Sequence, residues 1–418
     1  MQRHATPCNT VHQHHATPEG DGAHGHSKMA SWSGSVRTWW SERGERGHGD
    51  GAGAGDDVVD VVGGGAGAPS KILCEDCDTV ETQGGPPCPL VAIAMATTSR
   101  HMAERVENPG KKMKAAFKAE AKRKGQVMGQ VGGRNMTDKI LGSMAAEKSG
   151  PNSFSLFRVL LPSVLRTMEC GYKYLVVVGY DLGDRYYDTP EAHDEVNAWF
   201  ETNVAGPARE RGITVSLTMA MCNNTQRKPG PVFTTATQAA YAAGADWIYR
   251  VNDDSEFMTP WTTKLIGAVT AMGEPYGVAG PLVCNQGGNV KILTHDFTHR
   301  THMEIFKGWY YPAELVDWWM DTWVSRVYGS RRTALVQHVL VGHRTKEHGR
   351  RYTVNHKNRE LLEPLVELGK SQISAFMRET KVPMDIMLEF MHDKFDGSGA
   401  DLFNLANSTH ATKKSRSC

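Results

Sequence analysis

Three residues of types that commonly bind metal ions, Asn252, Asp253 and Asp254, directly follow the apolar segment 247–251. The apolar segment is typical of a short buried strand, so the three side chains would lie at its carboxyl end, where open α/β sheets bind ligands. Alternate side chains of an extended chain point the same way, so Asp254 can converge on one point with Asn252 or with Glu256. Hard oxygen ligands suit Mg²⁺ or Mn²⁺, which usually share their shell with substrate phosphates. The same residue types are common in surface turns, which is the alternative for so short a motif.

Two other apolar segments also end in polar side chains. The segment 89–96 leads into Thr97, Ser99 and Arg100, and the segment 174–180 leads into Asp181 and Asp184. Hydroxyl groups and a guanidinium at a strand end can hold a diphosphate or a nucleoside. A simple helix cap after the strand is the alternative for the hydroxyl groups.

Apolar runs alternate with segments of helical period along most of the chain. This alternation predicts an α/β fold with a doubly wound, mainly parallel sheet. Pro162 lies inside one helical pattern and predicts a kink or two short helices there. The predicted strands cover residues 89–96, 174–181, 213–219, 247–251, 276–283 and 334–341, and the predicted helices cover residues 154–168, 191–203, 234–243, 261–272 and 358–379.

The composition limits the class of protein. A chain of 418 residues with a formal net charge of +1 carries no overall basic signal for nucleic acid. No stretch is apolar enough to span a membrane, and the amino terminus lacks the apolar core of a signal peptide. We expect a disordered low-complexity region over residues 1–88, a folded domain over 89–380 with a basic helical insertion at about 101–150, and a tail over 381–418.

The eight cysteines are too few for a disulfide scaffold in a chain of this length. Cys74 and Cys77 have the spacing of zinc ligands, but no second pair follows them. We therefore expect disulfides or free thiols in preference to zinc.

Aromatic and acidic residues are concentrated between residues 295 and 328. Aromatic faces beside carboxylates suit a sugar, because the rings pack on its C–H faces and the acids bind its hydroxyl groups. The alternative is an amphipathic core helix that carries Trp318 and Trp319. Asp321 in the middle of such a helix would need a partner if it were buried.

These motifs, in this order, resemble those of the GT-A nucleotide-sugar glycosyltransferases. The resemblance covers roughly residues 89–380, and the stretch from Ala245 to Asp254 looks like the Asp-x-Asp metal element of that family. The other shared elements are the strand ends at residues 96–100 and 178–184 and the later acidic element at residues 318–323.

The resemblance implies a metal-dependent transfer of a sugar from a nucleotide-diphosphate donor to a hydroxyl group of a glycan, a protein or a small molecule. Asp254, assisted by Asp253 or Asn252, would hold Mn²⁺ or Mg²⁺, and a late histidine, His338 or His343, would complete the shell. Asp321 would be the catalytic base of an inverting reaction, or would position the acceptor in a retaining one. The implied donor-binding residues are Thr97, Ser99, Arg100, Asp181, Asp184 and Arg250, and the implied acceptor-binding residues are Trp309, Tyr310, Trp318 and Trp319.

Two other functions remain open on the sequence. Asn252 replaces an acid at the first position of the metal element, which favours a catalytically silent carbohydrate- or nucleotide-binding protein on the same fold. A metal-dependent nucleotidyltransferase would also use carboxylate-bound Mg²⁺. A location in the secretory pathway or Golgi lumen would accord with the resemblance, and no signal or anchor supports it in the sequence.

Overall fold

The computed structural model describes residues 74, 76–99, 150–284, 292–344, 352, 354 and 357–393. These residues belong to one structural unit. The predictions for Arg100, for the insertion up to residue 149, and for residues 1–73 and 394–418 also concern parts outside the described residues.

Within the described residues, eight strands form one sheet in the order β3-β2-β1-β4-β7-β6-β8-β5. Strands β5 and β7 run antiparallel to their neighbours, and all other pairs are parallel. The predicted α/β fold with a mainly parallel sheet is therefore confirmed. The strands are β1 (Leu90–Thr97), β2 (Lys173–Asp181), β3 (Val215–Cys222), β4 (Trp247–Asn252), β5 (Ser255–Phe257), β6 (Val278–Cys284), β7 (Asp296–His299) and β8 (Thr333–His343).

Helices connect most of these strands. Pro162 lies near the start of α2 (Leu161–Thr167), and this helix directly continues a helical segment that precedes it. That segment is a π-helical turn, Leu156–Leu160, so at the predicted kink the backbone stays helical and changes from π-helical to α-helical hydrogen bonding. The helices are α1 (Cys77–Thr82), α2 (Leu161–Thr167), α3 (Pro190–Phe200), α4 (Gly206–Arg209), α5 (Pro229–Ala242), α6 (Thr262–Thr270), α7 (Thr301–Ile305), α8 (Met320–Val327), α9 (Leu362–Glu379) and α10 (Met384–His392). A second π-helical turn, Glu201–Ala205, joins α3 to α4.

The central strand β1 is apolar on both faces because each face covers a separate core. Ala92, Ala94 and Ala96 point into the core that contains α5, whereas Val91, Ile93 and Met95 point into the other. This division follows the two-residue period of a strand. The alanines are small enough for α5 to approach the sheet closely. Gly179 of β2 allows the same approach, since a Cβ atom there would lie 2.8 Å from the carbonyl oxygen of Val232.

The sheet curls back on itself between β4 and β5. These strands are separated by four strand spacings in the sheet order, or about 19 Å in a flat sheet. Only Asp253 and Asp254 join them along the chain, so their ends lie within about 11 Å. Aromatic rings fill the inside of the curl, including Tyr249 and Phe257 at 5.3 Å between centroids and Phe257 and Trp261 at 5.4 Å. The predicted metal element thus includes the short link, Asp253 and Asp254, that joins β4 to β5.

Two predicted boundaries are wrong. The region expected to be disordered up to residue 88 includes α1, which disulfides Cys74–Cys170 and Cys77–Cys88 tie to the domain and to the following segment. The expected tail from residue 381 includes α10, whose Met387 and Phe390 are buried. The disulfides agree with the preference over zinc at Cys74 and Cys77. Among the described residues, none of the helices is both long and apolar enough to cross a membrane.

Candidate active site

Strands β1 and β4 are parallel neighbours, and their polar carboxyl ends meet. Ala96 is paired with Asn252 in the register, which places Thr97 beside Asp253. The Thr97 hydroxyl donates a hydrogen bond of 2.7 Å to Asp253 Oδ2, and both side chains are about 1% exposed. Thr97 therefore orients the first aspartate of the pair.

Asp254 contacts His343. The Oδ1 atom of Asp254 lies 3.1 Å from His343 Nε2, and the Nδ2 atom of Asn252 lies 3.2 Å from the same nitrogen. The antiparallel pairing of β5 with β8 brings about this contact, because His343 is the register partner of Ser255. A hydrogen bond of 3.0 Å from Arg344 N to the Asp254 carbonyl holds the connecting turn. Three of the predicted metal-binding residues, Asn252, Asp254 and His343, are thus brought together.

His338 and Glu256 do not join this group. His338 lies in the irregular part of β8, between Val336 and Leu340, whose partners are adjacent residues of β6. Its side chain is exposed. Glu256 forms ion pairs with Arg344 and Arg166. Of the two late histidines, His343 is the one that the fold places beside Asp254.

A second buried histidine lies next to this group. His295 Nε2 and Ser255 Oγ share a hydrogen bond of 2.5 Å, and the His295 ring packs edge-on to His343 at 5.5 Å. Burial lowers the pKa of His295 well below its usual 6.5, His343 and Arg250 act in the same direction, and Asp254 opposes them. His295 is therefore neutral at physiological pH.

The carboxylate of Asp184, a predicted donor-binding residue, accepts hydrogen bonds from other residues of the protein. Its Oδ2 accepts hydrogen bonds of 2.7 Å from the Thr98 hydroxyl and 2.8 Å from the Ser99 N–H, and its Oδ1 accepts one of 2.5 Å from the Ser99 hydroxyl. The N–H groups of Tyr186 and Tyr187 also donate to Oδ1. Asp184 therefore fixes the loop that follows β1, and Ser99 serves that contact.

Asp181 and Arg250 are also buried in contacts with the protein. Asn224 Nδ2 donates a hydrogen bond of 2.5 Å to Asp181 Oδ1. Arg250 forms an ion pair with Asp296 and donates to the Tyr311 hydroxyl at 2.5 Å and to the Thr294 carbonyl at 2.9 Å. Both side chains are thus engaged within the protein, and their contact with the donor stays a prediction.

Asp321 of α8 is near enough to Arg250 and Asp296 for their charges to affect its pKa. It lies in the first turn of the helix, where its Oδ1 accepts a hydrogen bond of 2.8 Å from the Thr322 N–H. Burial raises the pKa of Asp321, the Arg250 guanidinium and the Thr322 N–H oppose this, and Asp296 adds to it. A carboxylate whose pKa is raised is a better proton acceptor than an ordinary aspartate.

The predicted acceptor-binding aromatic residues are dispersed. Trp309 lines a cavity of about 220 Å³ with Tyr311, Trp323 and Leu365. Tyr310 is fully buried, and Trp318 is 40% exposed. The helix begins only after Trp318 and Trp319, so the alternative to a sugar site, a core helix that carries both with Asp321 in its middle, is wrong. Trp319 has a φ of 76°, and Arg359 lies over its ring at 5.7 Å.

His295, Asp296, Ser255 and Tyr311 are central to the arrangement and received no role from the sequence. Asp296 opens β7 and is the register partner of Arg250. Its Oδ2 accepts a hydrogen bond of 2.7 Å from the Tyr311 hydroxyl. The signal in the sequence is the adjacent pair of His295 and Asp296 before an apolar residue, but the antiparallel insertion of β7 beside β4 is what gives the pair its neighbours.

The residues around Asp254 have side chains of types that could contribute ligands to a divalent ion. Among the described residues, no three His, Cys, Asp or Glu side chains form a ready-made metal site. The carboxylate of Asp254 contacts the imidazole of His343, with the carboxamide of Asn252 beside it. Carboxylate and carboxamide oxygens suit Mn²⁺ or Mg²⁺, and these ions take their remaining ligands from water or phosphate oxygens.

No protein-family model matches the sequence, and no curated protein matches it. Among solved structures, the chain is similar to S. aureus TarS. Residues 1–349 of TarS with UDP give a TM-score of 0.32 and 10% identity, over 75% of this chain and 74% of that one. The same part of TarS with UDP-GlcNAc gives 0.31 and 11%, over 77% and 76%. A further TarS structure gives 0.32 and 10%, over 77% of this chain and 46% of that one. At these scores the likeness carries no argument about the site.

Proposed function

We propose that this protein is a metal-dependent glycosyltransferase that moves a sugar from a nucleotide-diphosphate donor to a hydroxyl acceptor on a glycan, a protein or a small molecule. One observation carries the proposal. The buried acids Asp253 and Asp254 lie at the carboxyl ends of parallel strands, with His343 against Asp254. A strand end with buried acids is where an α/β sheet binds a phosphorylated ligand through a cation.

On this proposal, Asp254, His343 and Asn252 hold Mn²⁺ or Mg²⁺. A bound ion neutralises the diphosphate and so makes it a better leaving group. Thr97 keeps Asp253 in place through its 2.7 Å hydrogen bond. Asp184 holds Thr98 and Ser99 in a fixed loop beside the donor.

On the same proposal, Asp321 acts on the hydroxyl group of the acceptor. In an inverting transfer, its carboxylate takes the proton of the acceptor hydroxyl as the oxygen bonds to the anomeric carbon. The bond from that carbon to the diphosphate oxygen breaks at the same time, and its electron pair leaves with the diphosphate. In a retaining transfer, Asp321 would bind the hydroxyl without taking its proton. Asp296 and Tyr311 hold Arg250 beneath this group, which limits how far burial raises the pKa of Asp321.

Asp254→Asn tests the metal site. The thermal melting of the full chain would be measured with Mn²⁺ and UDP, GDP, ADP or CDP, because a ligand that binds only the folded state raises its stability. We expect a metal-dependent rise in the wild type that is lost in Asp254→Asn, together with any release of nucleoside diphosphate from nucleotide sugars.

The matched control is Asp246→Asn, at the opposite end of the same strand. Asp246 accepts a hydrogen bond of 2.9 Å from Leu90 N, and an asparagine oxygen can accept it equally well. This variant should behave as the wild type does. Undiminished turnover in Asp254→Asn would refute the site, and pyrophosphate as the product would indicate a nucleotidyltransferase instead.

A catalytically silent binding protein is the second candidate. Asn252 favours it, because a carboxamide contributes no negative charge to the metal shell. Nucleotide binding that needs no metal, without hydrolysis or transfer, would support this function. In that case Asn252→Asp would be expected to increase the affinity for Mn²⁺.

A further inference from the structure

His295 and Ser255 form a buried pair that the proposed reaction does not use. Their 2.5 Å hydrogen bond joins Nε2 to Oγ, and both residues are fully buried. His295 Nδ1 is also buried and has no hydrogen-bond partner among the described residues. A buried polar pair with one nitrogen left over is costly, so packing alone gives little reason for a histidine here.

The pair adjoins Asp254 in two ways, through the chain at Ser255 and through the ring of His343. Ser255 follows Asp254 in the chain and is the register partner of His343 across β5 and β8. The His295 ring lies edge-on to the His343 ring, at 5.5 Å and 82°. The imidazole of His295 therefore restrains two groups. One is Ser255, which follows Asp254 in the chain, and the other is His343, whose side chain contacts the Asp254 carboxylate.

This restraint matters because Asp254 lies in a two-residue link between strands that are not paired with each other. No ladder of hydrogen bonds joins β4 to β5 at the link. The Arg344 N–H fixes the Asp254 carbonyl, but the direction of the carboxylate depends on what lies around the side chain. Groups that orient metal ligands from behind typically change metal affinity by about 10–100-fold when they are removed.

We propose that His295 is a positioning residue for the divalent cation. Its hydrogen bond to Ser255 and its contact with His343 hold Asp254 and His343 in the arrangement that binds the ion. The inference rests on the metal site of the proposed function.

The two amide side chains distinguish a hydrogen-bonding role from simple filling of space. The terminal amide of glutamine reaches roughly the position of Nε2, whereas that of asparagine reaches only the position of Nδ1. His295→Gln should therefore keep the bond to Ser255, and His295→Asn should lose it. We expect the Kd for Mn²⁺ to rise about tenfold or more in His295→Asn and Ser255→Ala, and to stay within about threefold in His295→Gln.

His299 supplies a matched control at the other end of β7. Its Nδ1 shares a hydrogen bond of 2.6 Å with the Thr301 hydroxyl, which is the same kind of pair away from the acids. His299→Gln places an amide at the Nε2 position and so breaks that bond. Its Kd for Mn²⁺ should match that of the wild type, even if its melting temperature falls.

Calorimetric titration of the full chain with MnCl₂ would measure these values, alone and with the nucleoside diphosphate that stabilises the wild type most. The double variant His295→Asn/Ser255→Ala should bind Mn²⁺ no more weakly than either single variant, because both remove one shared interaction. Effects that multiply would overturn the inference, as would wild-type affinity in Ser255→Ala and His295→Asn. If His295→Asn does not fold, the inference is tested by the Kd for Mn²⁺ of Ser255→Ala, which should rise, and of His295→Gln, which should not.

The outcomes separate the inference from the proposed function. Loss of Mn²⁺ binding in Asp254→Asn, with unchanged binding in the His295 and Ser255 variants, would remove only the positioning role. A wild-type chain that binds neither Mn²⁺ nor Mg²⁺ under either condition would overturn both. Equal Mn²⁺ affinity in the wild type and Asp254→Asn would move the metal site elsewhere and remove the role of His295 with it.

Discussion

The carboxylate of Asp321 is subject to opposing effects. Burial and Asp296 raise its pKa, whereas Arg250 and the Thr322 N–H lower it, and the net shift is upward. The ionised form is therefore reached at a higher pH than for an ordinary aspartate. If Asp321 is the base, transfer should increase with pH as the carboxylate ionises through this raised pKa.

Asp321→Asn should separate catalysis from stability. We expect a loss of transfer of about 10²–10⁴-fold, which is typical for removal of a general base, while binding of Mn²⁺ and nucleoside diphosphate persists. Because the pKa is raised in the folded state, the stability that Asp321 contributes is present below its unfolded pKa and is lost as the pH rises through its folded pKa. Above the raised pKa the ionised group therefore favours unfolding, and there Asp321→Asn should melt at the same temperature or higher.

The control for Asp321→Asn is Asp385→Asn, a change in the first turn of α10. That variant should keep its turnover. Transfer by Asp321→Asn within tenfold of the wild type would assign the base elsewhere, and Asp296, whose Oδ2 is engaged by Arg250 and Tyr311, would be the next candidate.

At single residues, the sequence predicted a strand that ends in acids, but it did not predict what surrounds those acids. An apolar run followed by acids is a local pattern, and local patterns can be seen in one chain. The partners of Arg250 are 44 to 61 residues away along the chain, so only the fold shows that this arginine is buried in an ion pair. The choice between His338 and His343 depended on an irregularity in the pairing of β8 that no local pattern reveals.

At the level of elements, α1 is held to the sheet by covalent and ionic contacts. Cys74 is joined to Cys170, just before β2, and Cys77 to Cys88, just before β1. Lys173 at the start of β2 forms ion pairs with Asp78 and Glu81 of the helix. Composition gave no sign of this attachment, because the six-residue helix follows a long Gly- and Ala-rich region.

The two disulfides should differ in their effect on stability. Their cysteines are 96 and 11 residues apart, and the chain-entropy model gives about 4–5 kcal/mol for a loop of about 100 residues and about 3 kcal/mol for one of about 15. We expect Cys74→Ala/Cys170→Ala to lower the free energy of unfolding more than Cys77→Ala/Cys88→Ala. Urea denaturation of both double variants measures this difference.

Wild-type protein treated with dithiothreitol is the control, and it should be no more stable than either variant. A larger effect of the short loop would show that the native contacts of α1, and not the entropy of the unfolded chain, determine the contribution. Unchanged unfolding in all three samples would mean that neither disulfide is formed in solution.

At the scale of the described fold, the curl of the sheet brings the strands β3 to β4, which the sequence predicts, together with the strands β5 to β8. The mainly parallel half, from β3 to β4, follows from strand and helix patterns that are visible in the sequence. The other half could not be predicted, because β7 enters between β4 and β6 in the opposite direction, and β5 pairs with β8 from a distant part of the chain. That half supplies His295, Asp296 and His343, so the site is completed by long-range pairing.

The corrected boundaries can be tested with shortened chains. A chain of residues 72–393 retains the Cys74–Cys170 and Cys77–Cys88 disulfides and α10, and it should melt cooperatively near the temperature of the full protein. A chain of residues 72–380 loses Met387 and Phe390 from the core and the Asp393 carboxylate that binds Ser330 and Arg331. Burial of each apolar side chain is worth about 1.5–3 kcal/mol, so the melting temperature should fall by roughly 5–10 °C.

A chain of residues 89–393 lacks Cys74, Cys77 and Cys88, and it also loses the ion pairs of Lys173 with α1. Its melting temperature should fall even in the absence of reductant, while dithiothreitol should have little further effect on it. A chain of residues 89–380 with the melting temperature of the full protein would support the domain limits, 89 and 380, that the composition predicted. It would also mean that α1 and α10 lie on a domain that is stable without them, leaving the curled sheet and the helices packed on it as the folding unit.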